Sequence, residues 1–143
     1  MAVRLNHTIV SAAKAGLVAA ILSGAPSTLH ALATKTDVLA ATRAAGTLLG
    51  KPSTTRGALA HIAISAGWTA VLTAVHHRRP LTAGTGALAG LAIAALDLEV
   101  VGRRYPAIRA LPRWPQWADH VAFGALVGGL LAWERPAGGT PVG

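Results

Sequence analysis

Four apolar runs, about Thr8 to Gly24, Gly57 to Val75, Leu81 to Val101 and Ala118 to Trp133, divide the chain, and most of its charged side chains fall in the connectors between them. The two middle runs each have about 20 residues, the length at which a helix crosses a hydrocarbon core of about 30 Å. Overall, 52% of residues are hydrophobic and 13% charged, with a mean hydropathy of +0.49. Soluble domains carry roughly 25% charged residues, so the bilayer is the expected solvent. The apolar content is mainly Ala, Leu and Val, interspersed with 16 Gly, as expected where helices approach closely in lipid. The predicted fold is all-α: a polytopic transmembrane helix bundle of four spans over residues 1–135, with an interfacial amphipathic helix. A disordered tail is expected over residues 136–143.

The net charge of +8 would direct a soluble protein toward nucleic acid. No basic helix face with interleaved aromatics is present here, and nucleic acid is not an expected partner. Lys and Arg in short connectors set orientation and meet anionic headgroups. The expected partners are therefore the lipid bilayer with its anionic headgroups and, through Gly/Ala-rich faces, a homo-oligomer or a membrane partner protein. Lys35, Arg43, Lys51 and Arg56 are the candidate headgroup contacts. Arg outnumbers Lys, and Ala and Gly abound, a pattern of high-GC bacterial coding that makes the bacterial cytoplasmic (inner) membrane the expected location, with multiple crossings. The chain has no Cys, which removes disulfides, thiolate metal sites and a Cys nucleophile.

Some segments read in two ways. The first run follows a short basic start and could be a signal peptide, but Pro26 directly after Ser23-Gly24-Ala25 blocks cleavage there. The row Ala12, Gly16, Ala20, Gly24 suits a retained, packed helix. Lys14 within it would snorkel. In residues 27–50, Ser27 can cap a short turn and Asp37 a helix from Val38 to Leu49, ended by Gly50. At about 18 Å this helix is too short to cross, and it is read as interfacial or re-entrant, with a fifth span as the alternative. Trp114, Trp117 and Trp133 bracket the last run as interfacial aromatics do. The Pro-rich connector Tyr105 to Gln116 should be irregular.

With four spans, one face holds Lys35, Arg43, Lys51, Arg56, Arg103, Arg104, Arg109 and Arg113, and the other Arg4, Arg78, Arg79 and Arg135. The first should be cytoplasmic. His61, Asp97 and His120 each lie near the end of a different run on that same face, at depths agreeing to roughly 3 Å at 1.5 Å per residue. His120 shares its helix face with Gly124 and Gly128, Asp97 with Gly90 and Gly86, and His61 heads the stripe His61, Ser65, Trp68, Thr69. Glu99 can pair with Arg103 at four-residue spacing, whereas Asp97 needs a partner from another helix. Asp119 is read as a favourable charge in the first turn of the last helix.

The cluster of His61, Asp97 and His120 is expected to act as interhelical glue. The same residue types leave open an acid–base or proton-handling pair, a metal site of two His and a carboxylate, or haem ligation by the two His, so the cofactor is left unknown. His76-His77-Arg78-Arg79 is read as a tight basic turn, and Gly84-Thr85-Gly86 with Gly90 as helix packing, since no strand precedes it and no Lys-Ser/Thr follows.

Ser-Gly-Ala-Pro-Ser-Thr-Leu-His-Ala-Leu at 23–32, Ala-Ala-Thr-Arg-Ala-Ala-Gly-Thr-Leu-Leu at 40–49 and His61-x-x-x-Ser65-x-x-Trp68 resemble small bacterial membrane proteins of the YagU-like inner-membrane group. The resemblance implies membrane class and no chemistry. The expected function is a non-catalytic binding or assembly protein whose cluster locks helix packing. The alternative is a membrane-embedded enzyme or proton-coupled carrier using His61, Asp97 and His120.

Overall fold

Pro26 shapes the first crossing. It has no amide hydrogen, and its ring collides with the carbonyl four residues earlier, so α1 (Ala2–Leu22) stops and α2 (Ala25–Ala33) starts afresh with the proline in its first turn. The sequence suggested only a short turn after Pro26, capped by Ser27. Instead, Thr8–Ala33 forms one broken helix long and apolar enough to cross a membrane. The structure, a computed structural model, describes residues 2–134, with side chains from residue 8 onward. The tail expected to be disordered, 136–143, lies outside the described residues.

Lys35, at φ 53°, turns the chain out of α2. The Asp37 carboxylate then accepts the Leu39 amide at 2.9 Å, and α3 (Ala40–Ala45) tightens into a 3₁₀ turn at Gly46–Leu49. The two pieces together rise roughly 17 Å, well short of a bilayer core. Neither piece is long enough to be a candidate crossing. Ser53 caps α4 (Thr54–Arg78) through the Arg56 amide. After the connector, Thr82 and Thr85 form a reciprocal cap on α5 (Ala83–Ala94). That helix continues as a π-helical stretch, Ala95–Val101, and a 3₁₀ turn, Gly102–Arg104.

Thr54–Arg78 and Ala83–Arg104 are the second and third helices long and apolar enough to cross. The connector expected to be irregular holds a short helix, α6 (Pro106–Arg109). The last helix, α7 (Arg113–Trp133), begins several residues before Ala118, with Pro115 in its first turn, where the missing amide costs nothing. Among the described residues all regular structure is helical.

The side-chain distribution is that of a protein turned toward lipid. Leu17, Ile21 and Leu88 are 64%, 68% and 66% exposed, while Ser65, Thr69 and His76 are buried. No residue from 115 to 132 is exposed, because α1, α2, α4 and α5 all pack against α7. Its contact with α5 is backbone to backbone. A β-carbon added at Gly86 would overlap the Gly124 carbonyl, and one at Gly90 the His120 carbonyl. The Gly86/Gly90 and Gly124/Gly128 rows thus interlock, as the small-residue spacing predicted. The core around them is Ala15, Ala19, Leu72, Ile93, Phe123 and Val127 with their neighbours.

Candidate functional site

Asp97 sits on the π-helical stretch, where the Gly102 amide bonds back five residues to the Asp97 carbonyl. Gly102 permits this closure, since a β-carbon there would stand 2.9 Å from that oxygen. Single turns of π-helix recur at functional sites, and this one carries both carboxylates of the crossing. Glu99 meets Arg103 at 3.3 Å, as its spacing predicted, and also Arg113 at the start of α7 at 2.5 Å.

The Asp97 carboxylate is half-buried between three helices. Its Oδ2 accepts the Trp68 indole N–H from α4 at 2.9 Å and faces His120 Nε2 from α7 at 3.6 Å. The other imidazole nitrogen, Nδ1, lies 2.7 Å from the Gln116 carbonyl. A carbonyl only accepts, so Nδ1 carries a hydrogen and Nε2 is the nitrogen presented to the carboxylate. At 3.6 Å the two groups are close enough to interact but lie beyond a direct hydrogen bond.

His61 does not join this pair. Its Nε2–H donates to the Ala20 carbonyl at 2.9 Å, near the end of α1, where the break at Pro26 ends the regular pattern of bonds. On the far side of the break, the Ser27 amide donates to Asp119 Oδ1 at 2.9 Å. Both ends of the broken helix are thus held by side chains from other helices, as buried backbone at a break requires. Asp119 departs from its expected role: α7 starts at Arg113, so Asp119 serves the first turn of α2 and not that of its own helix. It was missed because the sequence does not show which helix lies beside the Pro26 break. His61 and Asp119 thus secure the two sides of the break, Ala20 and Ser27, and the three predicted residues are not all brought into one contact: Asp97 meets His120 and His61 meets a backbone carbonyl.

The basic turn has a specific staple. His76 is buried and accepts the Leu81 amide on Nδ1 at 3.1 Å, spanning a connector in which Pro80 offers no donor. Of the headgroup candidates, Arg43 is ion-paired with Asp37 and Arg56 donates to the Leu49 carbonyl at 2.9 Å. Lys35 and Lys51 are exposed. Among the described residues, no three His, Asp or Glu side chains converge to hold a metal ion. His61 and His120 reach different partners, which does not bring them together as axial haem ligands.

No protein family, curated protein or solved structure matches the chain. Its function is therefore read from the geometry itself.

Proposed function

We propose that this is a non-catalytic integral protein of the bacterial inner membrane that crosses it four times and assembles with lipid, a membrane partner or further copies of itself. Asp97, His120 and Trp68 lock its helices in register. The observation that supports this most is that the polar groups of this cluster are engaged by other helices: Trp68 with Asp97, Asp97 with His120, His61 with Ala20, Asp119 with Ser27. The fourth crossing is α7. At 21 residues it measures about 31 Å, and its polar side chains face neighbouring helices and not lipid. Residues 40–49 then lie along the membrane surface.

The lock is tested by comparing Asp97→Ala with Asp97→Asn in thermal melts of the detergent-solubilised protein. The alanine variant leaves the Trp68 N–H and the His120 nitrogen without a partner, and should lose about 1–3 kcal/mol. Asparagine retains an acceptor for Trp68 and should recover part of the loss. An alanine variant that melts with the parent would refute the lock.

A second reading, a proton-coupled carrier or membrane enzyme using His61, Asp97 and His120, is favoured by the approach of the His120 imidazole to the Asp97 carboxylate between three helices. It requires that Asp97→Asn, folded and reconstituted in vesicles, lose proton uptake without a matching change in melting.

A further inference from the structure

A cleft of about 50 Å³ opens between α2, the loop after it, the start of α3 and the Pro-rich start of α7. Its apolar walls include Val38, Leu111 and Pro115, and its polar lining is Ser27, His30, Thr36, Asp37 and Gln116. Among the described residues, neither the His30 ring nitrogens nor the Gln116 carboxamide has a hydrogen-bond partner. Trp114, largely exposed, stands edge-on to the His30 ring at 5.1 Å and fixes its orientation. Asp37 uses one carboxylate oxygen on the Leu39 amide and the other on Arg43, and each oxygen keeps a lone pair.

The chemistry of this lining is selective. The Asp37 carboxylate, the Gln116 carboxamide oxygen and a His30 ring nitrogen can each accept a hydrogen bond, matching the three hydrogens of a primary ammonium, while the Ser27 and Thr36 hydroxyls donate to the Gly24 and Ala31 carbonyls. An anion entering here would meet Asp37. The volume holds roughly three to four water-sized groups, which accommodates an aminoethyl unit and not a trimethylammonium. Arg43 supplies the opposite charge at the rim, since its bond to Asp37 leaves most guanidinium hydrogens unused. Beside the cleft, α2 turns Leu29 and Leu32 outward, a surface for acyl chains.

We propose that this cleft binds the headgroup of an aminophospholipid, with the ammonium seated among Asp37, Gln116 and His30 and the phosphate on Arg43. The site rests on the membrane reading above only in that this end of the bundle must lie at headgroup level, and it does not depend on the Asp97 lock. It differs from generic attraction of Lys and Arg to anionic lipid, because its selectivity comes from a carboxylate.

Native mass spectrometry of the delipidated full-length protein in detergent tests the site, with phosphatidylethanolamine, phosphatidylcholine and phosphatidylglycerol each added alone. Phosphatidylethanolamine should be retained about tenfold better than the other two, the scale of one charge-assisted hydrogen bond. Asp37→Asn, in an exposed loop, should erase most of that preference, and Gln116→Leu should weaken it. Asp97→Ala should leave the preference unchanged, so the site and the lock can fail separately. Equal retention of all three lipids, or preference for phosphatidylglycerol, would overturn the proposal. So would an Asp37→Asn protein that still discriminates.

Discussion

Asp119 shows how much a single side chain can do at a helix break. Pro26 ends α1 without choosing what replaces the lost bonds, and Asp119 Oδ1 takes up the Ser27 amide at 2.9 Å. Asp119→Ala should cost about 0.5–2 kcal/mol, as loss of a helix cap does, and should speed hydrogen exchange at the Ser27 amide. Asp119→Asn keeps an oxygen in place and should restore most of the protection. Unchanged exchange in the alanine variant would mean the contact holds nothing. At this scale the sequence was partly legible. Asp97 and His120 were recognisable because a charged or polar group among apolar neighbours must find a partner on another helix. Their pairing followed from shared depth, but the partner of His61 did not. Depth says which groups share a level, not which one meets a backbone carbonyl freed by a proline.

At the scale of elements, glycine divides into two kinds. Gly124 faces the α5 backbone, and a β-carbon there would overlap the Gly86 carbonyl and crowd Gly90. Gly67 lies on the exposed side of α4 with nothing within 4 Å. Gly124→Ala should therefore destabilise by about 1–3 kcal/mol through overpacking. Gly67→Ala should stabilise by about 0.5–1 kcal/mol, because alanine loses less backbone freedom in a helix. Paired melts of the two variants check this, and a shift of the same sign in both would contradict the packing described. The four-residue spacing of Gly86, Gly90, Gly124 and Gly128 was enough to foresee this contact. The π-helical stretch was not foreseeable, because Ala95–Val101 carries no breaker and only tertiary packing selects the wider turn.

For the whole molecule, the absence of cysteine makes topology directly testable. With four crossings, Lys51→Cys and Arg109→Cys should react with a membrane-impermeant maleimide from one side only, and Arg79→Cys from the other. Labelling of all three from the same side would exclude the arrangement. Helical class and the long apolar helices Thr54–Arg78 and Ala83–Arg104 were readable from composition and run length, because lipid-facing surface must be apolar whatever its neighbours are, whereas the continuation of the first run past Pro26 to Ala33 was not. The start of α7 was harder to place. Its polar residues face other helices, so its hydropathy falls just where it is most enclosed.

The Gly86/Gly90 and Gly124/Gly128 seam leaves no side chain between α5 and α7 to absorb motion. The two helices therefore behave as a single strut: a tilt of one must carry the other with it. Any change of shape has to be taken up elsewhere, at seams cushioned by side chains such as Thr69 against Gly16.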